Sequence, residues 1–468
     1  MKKRKAVWIL TFLGILLMLS FIVLGRGLVM QCVQLNSDYS MEKVLVSVKN
    51  QIDRQGINSF SIDDIERLEK ELTTKPISYT TQSGIISTPV SSSESTALSV
   101  RLAGVDYNYP LFTSMTLKEG SFITQKQEEE GSMVAVIDEQ LAWELFKTVN
   151  ATGRTIDIFD NAFRITGVVK KDPSLIGKLT DDGLPNVYIP AAVMMELDVT
   201  ARITVLQIKT IDGNTLNQNM ADVSTALRQI GKDPSNYNIV DYNIKLALIK
   251  QWPLLFVSIL GIVSMFILLV HVKDSIGNLY ALIRAGCKID YFSNVIKGNL
   301  TGIRTLILEI TLGFLGIVFI WLGIRFKPYI PPKYIPEELI NISYYLDLIR
   351  DEIQGGIQNI GYVPPQSELI VNAVNMLLYL LFCISVVLGL LLLYIGFREV
   401  KALNLDSNKL IFIFGLFFAF SFGILAVAAF LTGLPFMLDV KSILVAWAFI
   451  FLNILHITKR KESGIRNV

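Results

Sequence analysis

Histidine and cysteine are scarce in this chain of 468 residues, and charge is thin. The two histidines, His271 and His456, each close an apolar run, and neither has a plausible catalytic partner. They cannot furnish a zinc enzyme or a Ser-His-Asp hydrolase. The three cysteines, Cys32, Cys287 and Cys383, are too far apart for a CxxC metal site or a disulfide framework and read as apolar or small-residue positions. No G-x-x-x-x-G-K-S/T stretch occurs. Gly177-Lys178-Leu179 and Gly231-Lys232-Asp233 lack the earlier glycine and the hydroxyl residue, so no backbone cradle for a nucleotide phosphate is present. The net charge of +2 excludes the broad basic field that nucleic acid requires. No cofactor and no catalytic residue are expected, and a membrane-anchored enzyme finds no constellation to support it.

What the chain has instead is apolar length. Hydrophobic residues make up 51% and charged residues only 18%, below the roughly 25% of soluble domains. The mean hydropathy is +0.48. A membrane-crossing helix needs about 20 mostly apolar residues. Six runs qualify: Val7–Gly25, Trp252–Val272, Thr305–Ile324, Ala373–Phe397, Leu410–Leu431 and Val440–Ile457. The first follows Lys2, Lys3, Arg4 and Lys5, as in a signal peptide. Its length and the Leu24-Gly25-Arg26 that ends it predict an uncleaved anchor. Trp252 and Pro253 fit the outer start of the second helix.

Lysine and arginine set the orientation. Lys273, Arg284, Lys288, Lys297 and Arg304 lie between the second and third runs. Arg398, Lys401 and Lys409 lie between the fourth and fifth, and Lys459, Arg460, Lys461 and Arg466 follow the sixth. With six spans these segments and the basic N-terminus share one side. Both ends are therefore expected in the cytoplasm. The expected fold is an α-helical membrane protein of six transmembrane helices, with a large extracytoplasmic mixed α/β domain between helices 1 and 2. Residues 1–30 form the first span, 31–250 the external domain, 251–325 spans 2 and 3 with their cytoplasmic turn, 326–371 an outer loop, and 372–468 spans 4 to 6 with the basic tail.

In the external domain, strand patterns cover Lys43–Val48, Leu98–Val105, Met133–Ile137, Thr155–Phe159, Phe163–Val169, Val187–Ile189 and Ile203–Ile208. A capping-box-like Ser61-Ile62-Asp63-Asp64 opens one helix, and helical spacing marks Asp138–Val149 and Leu216–Ile230. Ser87–Ala97 reads as a Ser/Thr-rich loop and Gln125–Gly131 as an acidic flexible one. The carboxylates Asp63/Asp64, Glu128–Glu130 and Asp181/Asp182 read as solvated charge rather than catalytic pairs.

The turn after the second span carries an apolar stripe, Ile276, Leu279, Tyr280, Ile283 and Cys287, at helical spacing. Asp274, Asn278, Arg284 and Lys288 lie off it. By itself such a helix fits a rest on the inner leaflet as well as a protein dock. Glu309 is an acid inside the third span. It is either functional, because intramembrane acids are costly, or paired with a polar group on a neighbouring helix.

Several motifs now converge. Val100–Asp106, Gly120-Ser121-Phe122, Val134–Ile137 with Ala142 and Leu145-Phe146, Gly153–Ile156, Phe163–Val169 and Val187–Pro190 follow one another over about 90 residues. Their order resembles the periplasmic core domain of MacB-type ABC permeases. Ala281–Cys287 resembles the coupling-helix turn of FtsX-like permeases, and Arg398-Glu399-Val400-Lys401-Ala402-Leu403 resembles that family's second signature. The resemblance implies a non-catalytic, multi-pass permease subunit of a bacterial cell membrane, embedded in the lipid bilayer and driven by a separate ABC ATPase. It further implies pairing with a second permease subunit, as homo- or heterodimer, and handling of peptides, lipoproteins or hydrophobic compounds. It assigns ATPase binding to Ile276, Leu279, Tyr280, Ile283, Arg284 and Gly286, with Arg398, Glu399, Val400 and Leu403 as the alternative turn. A regulatory reading stands beside it, in which ATPase cycling moves the external domain to act on an extracellular partner such as a wall hydrolase, without transport.

Overall fold

The computed structural model describes residues 2–465, apart from 35–37, 50–55, 57, 73–75, 83–87, 93–94, 173, 182, 211–216, 289–290, 337, 339–340, 349, 351–363, 365 and 404. The chain forms two compact units. One comprises Met1–Gln31, Ile249–Pro328 and Asn375–Val468, the other Cys32–Leu248 and Tyr329–Val374.

The second unit is mixed α/β. Its strands are β1 (Lys43–Val48), β2 (Ile77–Gln82), β3 (Thr88–Ser92), β4 (Ser95–Val105), β5 (Leu117–Gly120), β6 (Val134–Asp138), β7 (Thr155–Ile158), β8 (Asn161–Val169), β9 (Asn186–Pro190), β10 (Arg202–Lys209) and β11 (Tyr237–Asp241). Ten of them join in the order β11-β1-β10-β2-β4-β3-β7-β8-β6-β9, a parallel β4–β9 pairing closes the last six into a ring, and β5 pairs off this path with β8. Closure removes the open edges that would otherwise invite pairing with another chain. Val90, Val100, Ile137, Phe163, Ile165 and Ile189 belong to the core formed around this ring. Outside it, the antiparallel strands β11, β1, β10 and β2 bury Val44, Val46, Leu206 and Ile208 with helices Ile62–Leu72 and Gln218–Gln229.

Local chemistry explains the element ends. Ser61 and Asp64 exchange side-chain to backbone hydrogen bonds of 3.1 and 3.0 Å, the capping box read from the sequence. The helix expected over Asp138–Val149 is shorter, Glu139–Phe146, because Lys147 takes a left-handed φ of 54°. Phe159 and Asp160, with φ of 48° and 59°, make the two-residue turn that folds β7 back on β8.

Two loop expectations are corrected. The described part of Ser87–Ala97 is a β3–β4 hairpin, since Val90 and Val100 alternate into the core although the stretch is mostly Ser and Thr. Gln125–Gly131 contains a short helix, Gln125–Glu129, closed by a capping box between Thr124 and Gln127.

The first unit is helical. Among the described residues six helices are long and apolar enough to cross a membrane: Lys5–Gln34, Tyr242–Gly286, Leu300–Ile324, Glu368–Ala402, Ser407–Thr432 and Val440–Thr458. The first, at the N-terminus, is followed by the α/β unit. The second helix begins at Tyr242, ten residues before the expected Trp252, and Pro253 lies inside it rather than in its first turn. The apolar pattern could not reveal this, because Tyr242–Lys250 is a mixed sequence whose helical start is set by Asp241, whose Oδ1 accepts from the Asn243 and Ile244 amides. The first and fourth helices meet at small residues. A Cβ added to Gly14 or Gly396 would lie 2.8 Å from Leu393 and 2.1 Å from Thr11 respectively, and Ser385 donates to the Leu17 carbonyl at 2.8 Å.

Candidate functional site

The second and third membrane-length helices pack through one seam. Gly261, Leu268, Val272, Ser275 and Leu282, at steps of seven, four, three and seven, meet Ile324, Gly316, Gly313, Glu309 and Gly302 in reverse order. Such spacing keeps one face of a helix turned to its partner over many turns. It explains why Leu282 falls outside the exposed stripe: its side chain reaches Gly302 on the facing helix. Glu309 accepts a hydrogen bond from the buried Ser275 hydroxyl at 2.9 Å, so a polar group on the neighbouring helix compensates its carboxylate.

Where the seam ends, Gly286 touches the short helix Phe292–Gly298. A Cβ at Gly286 would lie 2.3 Å from Val295, so this close crossing requires glycine. Ile276 and Tyr280 lie roughly a third of a turn away from the seam. They are 47% and 64% exposed. Arg284 is exposed as well, and Leu279 and Ile283, nearer the seam, are half-buried. The first turn therefore presents two apolar side chains and a guanidinium on one helix end. The alternative turn differs. Val400 is buried and Leu403 half-buried, while Arg398 and Glu399 are exposed. It offers charge without an accessible apolar anchor.

The α/β unit holds two polar clusters that sequence reasoning missed. In the first, Asp106 accepts from the Ser78 hydroxyl at 2.5 Å and from the Tyr79 and Asn108 amides at 3.1 Å each. Glu128, read from the sequence as solvated, instead accepts from the Tyr79 hydroxyl at 2.6 Å and the Tyr107 amide at 2.8 Å. Burial pushes the Asp106 carboxyl up to about 7, against the opposing Ser78 hydrogen bond and reinforced by the Glu128 charge. Burial also raises Glu128, opposed by its two donors. The one sequence signal was Asp106 two residues before Asn108, the spacing at which an aspartate side chain closes a turn on its own backbone. Of the other carboxylates, Asp64 is half-buried and pairs with Lys232 at 3.4 Å, and Asp181 pairs with Lys171. Asp182 lies outside the described residues.

The second cluster centres on Lys43. The sequence pattern marked Lys43–Val48 only as a strand, and all six positions of β1, the lysine included, are buried.

Residues 9–226 match the family model of the MacB-like periplasmic core domain. Among solved structures, the periplasmic region of MacB from Actinobacillus actinomycetemcomitans is similar at 20% identity, covering 44% of this chain and 92% of that one, with a TM-score of 0.37. The extracellular domain of the noncanonic ABC-type transporter YknZ from Gram-positive bacteria is similar at 14% identity, covering 42% and 99%, with a TM-score of 0.34. No curated protein matches the sequence.

Proposed function

We propose, given that this chain belongs with the MacB-like permeases of ABC transporters and carries their periplasmic core domain, that it is the permease subunit of such a transporter. It couples ATP hydrolysis on a separate chain to movements of its own α/β domain, for export or extraction of peptides, lipoproteins or hydrophobic compounds. The α/β domain lies outside the cell between the first and second spans, and both termini lie in the cytoplasm. The observation that carries this reading is the joining, in one chain, of the matched domain with six membrane-length helices. The exposed Ile276, Tyr280 and Arg284 support the first turn as the ATPase dock, and the burial of Val400 argues against the second. A second copy or a related permease completes the assembly.

Topology is tested by single cysteines in a background without the native thiols. Glu129, exposed on the α/β unit, should label from outside intact cells when replaced by cysteine, and Lys461→Cys should be protected. The reverse pattern would invert the orientation.

The dock is tested by co-purification. Ile276→Asp/Tyr280→Asp introduces charge at two exposed positions and should leave folding intact. Each anchor that is well buried in a complex contributes about 1.5–3 kcal/mol. Retention of the ATPase should therefore fall at least tenfold. The same measurement on Arg398→Glu/Glu399→Lys should give wild-type retention. Loss at the second turn alone moves the dock there, and unchanged retention in both variants removes it from these turns.

A further inference from the structure

The Lys43 side chain has no solvent exposure, and that of Glu368, its partner at 3.2 Å, has 2%. The lysine sits on β1. The glutamate lies 325 positions later, in the first turn of the helix Gln366–Cys383 that runs on into the fourth membrane-length stretch. Both belong to the α/β unit. An ammonium has three protons to donate. Lys43 donates to Glu368, to the Gln207 side chain on β10 at 2.5 Å, and to the Phe112 carbonyl at 2.8 Å, which uses all three. Its Nζ also lies 5.0 Å from the centre of the Tyr242 ring, and the Tyr242 hydroxyl hydrogen-bonds to Glu368. Burial draws the lysine below its ordinary range, while the Glu368 charge opposes that shift.

A pair this dry gains little net stability, since desolvation offsets most of the attraction. What it does is dictate geometry, because either charge left alone in this place is heavily penalised. Four separate segments must converge to satisfy it: β1, β10, the carbonyl end of the short helix Tyr109–Thr113, and the start of the helix bearing Glu368. That last helix also favours an acid in its first turn through its dipole. The segment has further ties to the same unit, since Lys245 donates to Asn372 at 3.2 Å and Tyr329 donates to Asn217. Those ties are exposed and weak by comparison.

We propose that Lys43 and Glu368 form an ionic clasp that fixes the first turns of the fourth-span helix to the β1–β10 sheet, so that these turns follow the sheet only while the clasp is closed. Any bearing on transport rests on the permease reading. The clasp itself is tested without an ATPase, so failure of one is distinguishable from failure of the other.

The experiment is hydrogen exchange on the full chain in lipid nanodiscs, following the amides of residues 366–374 and, as an internal control, those of β6 to β8. Glu368→Gln keeps the shape and removes the charge. Lys43→Met removes the other charge, and Lys43→Met/Glu368→Gln removes both. Each single variant should speed exchange in 366–374 at least tenfold with β6 to β8 unchanged. The double variant should exceed neither single, because both changes break one contact. Wild-type exchange in 366–374 for Glu368→Gln overturns the proposal, and so does a double effect equal to the product of the singles. Equal acceleration in β6 to β8 also overturns it, because the pair then supports the whole unit rather than one joint. If Lys43→Met does not fold, the isosteric Glu368→Gln decides alone.

Discussion

Gly120→Ala should destabilise the α/β unit far more than Gly153→Ala does. Gly120 ends β5 with φ of 76°, and a Cβ placed there would lie 2.1 Å from the Thr166 carbonyl oxygen and 2.7 Å from the Thr152 methyl. The carbonyl is fixed in the β5–β8 crossing, where it also accepts the Ser121 amide at 2.9 Å. It cannot swing away as a side chain would. Left-handed backbone strain costs an L-residue about 1–2 kcal/mol. Overpacking against a fixed neighbour adds about 1–3 kcal/mol. The expected loss is therefore roughly 2–5 kcal/mol, a large fraction of a domain's whole stability. Gly153→Ala is the control, with φ of 84° and nothing within 4 Å of the added carbon. It should lose only the strain component. Denaturant melts of the full chain, followed by fluorescence of Trp143 in the α/β unit with the other tryptophans replaced by Phe, would compare the two. Equal midpoints for the two variants would mean that the Thr166 contact relaxes freely.

Asp106→Asn should reshape the pH dependence of the same unit. The Asp106 carboxyl moves from an ordinary 3.8 to about 7 on folding. Between those values the folded unit retains a proton that the unfolded chain has released. The stability linked to this group is thus complete below about pH 4 and is lost as pH rises through about 7. A shift of this size corresponds to at most about 4 kcal/mol. Glu128 and Asp138 shift in the same direction, also through burial, so the wild type alone cannot isolate Asp106. The comparison with Asp106→Asn can. Melts from pH 4.5 to 8.5 should show the wild type losing stability relative to the variant as pH rises to about 7, with little further change above that. Parallel profiles would show that Asp106 is ionised at neutral pH in the folded unit.

Periodicity along the chain was sufficient for the longest and most regular local elements. The six apolar runs, the strands Lys43–Val48 and Ile203–Ile208, and the Ser61–Asp64 cap are each determined by residues within a few positions of one another. The order of motifs from Val100 to Pro190 was legible for the same reason, and it led to the matched domain. The stripe containing Ile276 and Tyr280 could be read from spacing, but its exposure could not. Only the seam from Gly261 to Leu282 decided that Leu282 turns inward while Tyr280 stays free of it. The Ser/Thr-rich strand β3 was missed because its strand character comes from β4 and β7 on either side, not from its own propensity.

The polar clusters lie beyond sequence reasoning for a stronger reason. A lysine at a strand end and a glutamate at a helix start are individually ordinary surface residues. Lys43 becomes buried when β10 and β11 flank β1, and Glu368 becomes its partner only when a segment more than 300 residues later returns to the same unit. Asp106 and Glu128 meet through Tyr79, which belongs to neither of their local segments. Burial and charge pairing are properties of the assembled fold, because they depend on what excludes water from a group, and no window of neighbouring residues contains that information.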